Sequence, residues 1–297
     1  GYERGFHEEN MDELPAPDFE GLPLSAYDAF SGGKASLTFE TSRGCYWSKC
    51  AYCVDLPLPK PKYRRKDPAL VVRDMIELKK KYGAGYLMFG DPGLSPRQMR
   101  EISRRMLDKR VSILWWTMAR LDPGFNEGVF RLAHKAGLQK INFGFESASD
   151  RVCAFLDKGN MRECSERVIK ACAAAGIKVD LQTMLGLPSE TFEDGLETVD
   201  FLLRNARHIA AVTFNEYYAT PENHIHRNPR RYGVRFSRGR ITPFAFFLPF
   251  RNCTGLSGRE ALQLQKVYEG LRSQKGTARA SKPHGRLEEG TAAIMLN

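Results

Sequence analysis

The chain has 297 residues, of which 42% are hydrophobic and 27% are charged, and its formal net charge is +10. This is a globular composition, and no stretch reaches the ~18 consecutive apolar residues of a membrane helix. The positive charge suits an anionic partner such as nucleic acid or a phosphate group. Seven cysteines, an odd number, favour metal or redox chemistry in a reducing compartment over a disulfide framework, so we expect a cytoplasmic location.

The first 33 residues differ in charge from the rest of the chain. They contain eight acidic residues and one basic residue, Arg4, together with three prolines and little periodic pattern. We predict that residues 1–33 form an acidic arm or linker, which ends near Gly32 and Gly33.

From residue 34 the chain alternates between apolar segments and amphipathic ones. The predicted strands span residues 36–41, 85–90, 111–117, 140–145, 177–185 and 209–216. The predicted helices span residues 67–82, 95–109, 124–136, 161–175 and 191–206. Strands that alternate with helices predict a parallel sheet with helices packed outside it. We therefore expect an α/β fold, a partial (βα)6 TIM-like barrel over residues 34–220, with a closed eight-fold barrel or an open doubly wound sheet as alternatives.

The remaining residues, 221–297, are predicted to form a C-terminal extension with helical and basic parts. Residues 227–240 contain six arginines, and residues 272–286 contain five basic residues without an acidic one. The second stretch predicts a mobile basic tail. The first suits RNA, an acidic peptide or a substrate phosphate, or is simply a solvated basic surface.

Three of the seven cysteines fall within nine residues, directly after the first predicted strand. Cys45, Cys50 and Cys53 therefore lie on a loop at the carboxyl end of that strand, which is the end that carries the chemistry of α/β barrels. Three thiolates on one loop favour an iron–sulfur cluster with one open iron. The alternatives are a zinc site with a fourth ligand from elsewhere, and a group of reduced thiols.

Polar residues follow the next strands. Asp91, after Gly90, accepts hydrogen bonds and suits an ammonium group, while Arg120 suits a carboxylate held by two hydrogen bonds. Glu146 and Ser147 end the fourth strand and are expected to point into the barrel mouth, where the carboxylate suits a ribose hydroxyl or an amine. The structural alternatives are a βα turn at residues 90–91, a surface salt bridge at Arg120 and a helix N-cap at Ser147.

From about Leu37 to Glu216 the sequence resembles the radical S-adenosylmethionine (SAM) superfamily. The family's loop has three residues between its first two cysteines, whereas four separate Cys45 from Cys50. The resemblance implies that Cys45, Cys50 and Cys53 bind a [4Fe–4S] cluster whose open iron binds SAM. It also implies the following SAM-binding residues: Tyr52, Leu185 and Gly186 beside the adenine, Gly90 and Asp91 at the amino group, and Arg120, Glu146 and Ser147 at the mouth.

Residues 11–24 and 215–234 further resemble a subgroup that carries an N-terminal cobalamin-binding domain. We therefore expect either that such a domain precedes the present chain or that this protein is a relative that lost it. The resemblance implies cleavage of SAM to a 5′-deoxyadenosyl radical, with C-methylation of a peptide or a secondary metabolite as the reaction. It also implies a reductant such as flavodoxin or ferredoxin, while catalytic residues stay unassigned. The alternatives are a radical SAM reaction without cobalamin and a non-catalytic protein that binds zinc and RNA. Nucleic acid is not favoured, because no RNA-binding module is recognisable.

Overall fold

The computed structural model describes residues 10–26, 37–53, 62–221, 223–236 and 248–274. Within these ranges, no helix is both long enough and apolar enough to cross a membrane.

The centre of the molecule is a parallel sheet. Its strands follow one another in chain order: β1 (Leu37–Phe39), β4 (Tyr86–Phe89), β5 (Leu114–Arg120), β6 (Leu138–Glu146), β7 (Lys178–Leu185) and β8 (Ala211–Glu216). Two short antiparallel pairs accompany the sheet: β2 (Ser42–Arg43) with β3 (Arg64–Arg65), and β9 (Val234–Phe236) with β10 (Phe250–Asn252). The predicted α/β fold with a six-stranded parallel sheet, as in a partial TIM-like barrel, is therefore confirmed.

The helices that connect successive strands of the sheet are α1 (Pro68–Tyr82), α2 (Pro96–Asp108), α3 (Glu127–Lys135), α4 (Asp150–Phe155), α5 (Arg162–Ala174) and α6 (Phe192–Arg204). Two further helices, α7 (His224–Arg227) and α8 (Gly258–Gln274), follow β8. N-cap side chains mark where several helices begin. The side chains of Asp67, Ser95 and Asn126 each accept a hydrogen bond from a backbone N–H of the helix that follows. The five helices predicted from periodicity are all present.

The hydrophobic core lies between the sheet and these helices. Phe143 of β6 packs edge-on against Phe125, and Phe145 stacks on Phe201 of α6, with ring centroids 6.2 and 4.9 Å apart. These four rings are buried. Side chains that alternate with Phe143 and Phe145 along β6 point to the opposite face of the sheet.

Two predicted boundaries were wrong. The third strand was predicted over residues 111–117 but spans Leu114–Arg120, because a turn containing Arg110 at φ +53° follows α2. The basic tail was predicted to begin at residue 272, yet Arg272 is buried in the last turn of α8 and donates to Ile209 O over 3.0 Å. The tail from residue 275 onward lies outside the described residues.

Residues 10–26 of the predicted arm contact the barrel. Met11 is buried, the backbone N–H of Phe19 donates to the Tyr82 hydroxyl, and Lys66 Nζ donates to Leu14 O over 2.7 Å. Because of these contacts, residues 10–26 of the arm lie beside α1. Residues 1–9 and 27–33 lie outside the described ranges, so the arm's boundary stays a prediction.

Candidate functional site

The loop with the three cysteines leaves the carboxyl end of β1. Cys45, Cys50 and Cys53 are thiols rather than disulfides in the described structure, and each is partly exposed. The start of the loop is held by the buried carboxylate of Asp91, which accepts from Thr41 N (2.8 Å), Thr41 Oγ1 (2.7 Å), Ser42 Oγ (3.0 Å) and Ser42 N. Burial raises the pKa of Asp91 to about 6, against the lowering effect of these hydrogen bonds. Its oxygens thus fasten the cysteine loop to β4, and contact with an ammonium group stays a prediction.

Arg120 joins the cysteine loop to the segment that follows α4. Its Nη1 lies 3.7 Å from Cys50 Sγ, and its Nη2 donates to Lys158 O over 2.7 Å. The guanidinium stacks 4.3 Å from the centre of the Trp47 ring, whose Nε1 donates to Asp157 O over 2.8 Å. The third guanidinium donor, Nε, is buried and has no partner among the described residues. Arg120 therefore places positive charge beside a thiol and keeps one donor for a ligand.

Glu146 and Lys158 form a buried ion pair at the end of β6. Lys158 Nζ lies 3.1 Å from Glu146 Oε1, and the two side chains are 6% and 9% exposed. Glu146 has a backbone φ of +68°, which is uncommon for a residue with a side chain. Its other oxygen, Oε2, is buried without a partner among the described residues, so the carboxylate retains an acceptor.

Tyr52 lies between this ion pair and the end of β8. Its ring is buried, packs edge-on against Tyr217 at 6.4 Å, and lies 5.7 Å from Lys158 Nζ. Burial, followed by the negative charge of Glu146, raises the pKa of the Tyr52 hydroxyl well above its ordinary value. Tyr52 is thus a neutral aromatic surface at the centre of the site.

The end of β7 forms a tight turn next to a cavity. Gly186 has φ +85°, and its N–H donates to Glu190 Oε2 over 2.6 Å, as does Leu187 N–H over 3.1 Å. Burial raises the pKa of Glu190 to about 8. Leu185, Gly186 and Tyr217 line a cavity of about 790 Å³ that also reaches β10 and α8.

The fold brings most of the predicted site residues together. Contacts of 2.7–6.4 Å link the cysteine loop, Tyr52, Arg120 and Glu146 through Lys158 and Tyr217. Ser147 differs from the expectation that it points into the mouth. Its hydroxyl lies 3.1 Å from Thr198 Oγ1 of α6, because residues that follow one another at the end of a strand face opposite sides. Gly90 N–H donates to Phe39 O, which ties β4 to β1.

Sequence reasoning missed Lys158, Trp47 and Glu190. Lys158 follows α4, which at six residues is too short for a periodic signal, so nothing in the sequence paired it with Glu146. Glu190 follows Leu185 and Gly186 in the sequence, and its spacing of four residues from Gly186 was the available signal.

The cysteine donor set suits an iron–sulfur cluster. Among the described residues, no three Cys, His, Asp or Glu side chains converge on one metal position. In a four-iron cluster each thiolate binds a different iron, so the thiols need not converge on one point. Arg120 offsets negative charge at Cys50, and Asp91 fastens the loop. The residues present fit such a cluster.

A family model described as the radical SAM superfamily matches residues 39–202. An uncharacterised methyltransferase from Pyrococcus horikoshii is 29% identical over 195 residues, which are 65% of this chain and 42% of that protein. The chain thus spans less than half of this relative's length.

Two solved structures share the fold. The cobalamin-dependent S-adenosylmethionine radical enzyme OxsB aligns with a TM-score of 0.67 and 16% identity, covering 91% of this chain and 45% of that one. The radical S-adenosylmethionine methyltransferase TsrM from Kitasatospora setae aligns with a TM-score of 0.63 and 18% identity, covering 86% and 55%.

Proposed function

Because this chain belongs to the radical SAM superfamily, we propose that it binds a [4Fe–4S] cluster through Cys45, Cys50 and Cys53 and cleaves SAM. The observation that carries the proposal is a pair of polar atoms beside the cysteine loop that have no partner among the described residues. Arg120 Nε is a donor and Glu146 Oε2 an acceptor, and both are buried. Buried polar atoms ordinarily have partners, so these two favour a ligand that supplies both an acceptor and a donor.

SAM has groups that match each of these atoms. Its carboxylate suits the guanidinium of Arg120, and a ribose hydroxyl suits Glu146 Oε2. The adenine suits the neutral ring of Tyr52 and the turn at Leu185 and Gly186. Gly90 and Asp91 are proposed at the amino group, with Asp91 also positioning the cysteine loop.

When bound, the cluster supplies one electron for reductive cleavage of SAM to a 5′-deoxyadenosyl radical, which abstracts a substrate hydrogen. The chain's residues bind and orient the reactants. The guanidinium of Arg120 places positive charge beside Cys50, and Lys158 is the ion-pair partner of the buried Glu146 side chain. A reductant such as flavodoxin or ferredoxin is the proposed source of the electron.

The finer proposal is a cobalamin-dependent C-methylation of a peptide or small molecule. Its support is the resemblance of residues 11–24 and 215–234 to the cobalamin subgroup and the methyltransferase name of the Pyrococcus horikoshii relative. The OxsB and TsrM structures also contain bound cobalamin. The alternative is a radical SAM reaction without cobalamin, and the test below distinguishes it from cobalamin-dependent methylation.

The test is anaerobic purification followed by iron and sulfide analysis, and then reduction with dithionite in the presence of SAM. We expect about four irons, absorption near ~400 nm and formation of 5′-deoxyadenosine. Fewer than two irons, or no SAM cleavage by the cluster-loaded chain, would overturn the proposal. Transfer of labelled methyl from SAM only when cobalamin is added would support the finer proposal, and cobalamin-independent turnover would support the alternative.

A further inference from the structure

The inner face of the sheet, opposite the helices, is open and polar. Along β6 and β7, Asn142, Gly144, Gln182 and Met184 are partly exposed, while the residues between them are buried against the helices. In a closed barrel the inward side chains fill the interior. Here β1 and β8 lie at opposite edges of the sheet and do not pair in the described structure, so the inner face is accessible from one side.

Three amide side chains cross this face in a hydrogen-bonded row, which we term the amide ladder. Gln182 Nε2 donates to Asn142 Oδ1 over 3.0 Å, and Asn215 Nδ2 donates to Gln182 Oε1 over 2.7 Å. The row has a direction. Within the part of the chain that the structure describes, Asn142 Nδ2 at one end remains available as a donor. Asn215 Oδ1 at the other end remains available as an acceptor, next to the cavity that Asn215 also lines.

Two charged side chains lie level with the ladder, and both have partners. Asp180 is in register with Asn142, and its Oδ2 lies 3.4 Å from Lys140 Nζ. Arg120 is in register with Gly144, which is itself in register with Gln182, and its Nη2 donates to Lys158 O. Since these charges are already paired, the amide groups of the ladder favour an uncharged group.

An apolar strip borders the ladder. Met118 is in register with Asn142 across β5 and β6, and Met88 of β4 is in register with Trp116 of β5. All three apolar side chains are partly exposed on the inner face. Thioether and aromatic side chains adapt to varied apolar shapes.

We propose that the amide ladder is the substrate-recognition surface and that it selects an uncharged amide group attached to an apolar part. Asn142 and Asn215 lie on strands separated by β7, about 10 Å apart, so a substrate with two amide groups can offer a carbonyl acceptor to Asn142 Nδ2 and an N–H donor to Asn215 Oδ1. A carboxylate in place of the second amide has no donor for Asn215. Met88, Met118 and Trp116 contact the apolar part. Asn142 precedes Glu146 by four residues, about 13 Å along the strand, so a substrate on the ladder reaches the proposed SAM site. The inference rests on the proposed function and names its substrate class.

The probes are N-acetyl-L-phenylalaninamide and N-acetyl-L-phenylalanine, in which a carboxylate replaces the terminal amide. Their dissociation constants are measured by calorimetry on the anaerobic, cluster-loaded chain with SAM and without reductant. We expect the amide to bind at least about ten-fold more tightly than the acid. Gln182→Leu, which breaks both ladder bonds, should reduce this preference to below about three-fold. Lys178→Gln, an exposed change on the same strand, should leave it unchanged.

Asn142→Ala is a second ladder variant, to be used if Gln182→Leu does not fold. Thermal melting checks the folding of each protein, and visible absorption checks its cluster content. Undetectable amide binding at about 10 mM, equal affinities, or an unaltered preference in the ladder variants would overturn the inference. Cleavage of SAM after dithionite addition is measured separately on the same samples. Its absence in the parent chain contradicts the proposed function, whereas cleavage without amide preference contradicts only the ladder.

Discussion

The ammonium of Lys158 lies 3.1 Å from Glu146 Oε1, while the second oxygen of that carboxylate has no partner among the described residues. The pair is almost completely buried, between the ring of Tyr52 and the guanidinium of Arg120. A buried carboxylate with one oxygen paired and the other retained is positioned to accept a ligand hydroxyl.

Loss of the buried cation should destabilise the fold. Lys158→Met leaves the Glu146 carboxylate buried without its counter-charge, so we expect the free energy of unfolding to fall by about 3 kcal/mol. Denaturant titration measures it. The matched control is Arg131→Met, which removes an exposed pair with Glu127 and should cost under about 0.5 kcal/mol. Equal losses in the two variants would contradict a buried pair.

The cysteines should divide into two groups by their effect on iron content. Cys45→Ala should abolish cluster assembly, since three thiolates are needed. Cys172→Ala should retain it, because Cys172 is buried in α5 and burial raises the pKa of its thiol. Iron and sulfide analysis after reconstitution checks both, and similar iron contents would refute the assignment.

Arg120 should act through the planar arrangement of its guanidinium N–H donors as well as through its charge. Arg120→Lys keeps the charge but cannot contact Cys50 and Lys158 O together and still offer a donor at Nε. We expect SAM affinity, measured by equilibrium dialysis, to fall at least about ten-fold while iron content is retained. Arg97→Lys, on the exposed face of α2, is the control. Unchanged affinity in Arg120→Lys would remove this residue from the site.

The carboxylate of Asp91 should be needed for the cysteine loop. Asp91→Ala removes the acceptor of four hydrogen bonds from Thr41 and Ser42, so we expect at least a two-fold loss of cluster content and about 2 kcal/mol of stability. Asp108→Ala, at the exposed end of α2, should keep the parent's iron content. Full cluster content in Asp91→Ala would show that the loop is held in another way.

Glu190 should make stability depend on pH. Its folded-state pKa of about 8 lies above the ordinary value of 4.5, so the folded chain binds this proton more tightly than the unfolded chain. Its contribution is therefore complete below pH 4.5 and declines by a few kcal/mol as the pH rises to 8. Glu190→Gln should flatten this decline in denaturant titrations, whereas the exposed Glu193→Gln should not. Parallel profiles for Glu190→Gln and the parent chain would contradict the raised pKa.

Much of the sheet was predictable because its signals are local. Apolar strands, amphipathic helices and capping residues such as Asp67, Ser95 and Asn126 act within a few residues of themselves. The errors occur where contacts between residues far apart in the sequence determine the local structure. Arg272 lies in a basic stretch typical of a tail, yet its hydrogen bond to Ile209 O buries it in α8.

The sequence by itself determined the alternation of strands and helices, the position of the three cysteines after the first strand and the family to which the chain belongs. Only the tertiary structure decided how polar groups are paired. Glu146 meets Lys158, Asp91 meets Thr41 and Ser42, Ser147 meets Thr198, and Gln182 joins Asn142 to Asn215. Each of these pairs links residues 12 to 51 positions apart. Their distances depend on how strands and helices pack, which local side-chain patterns do not encode.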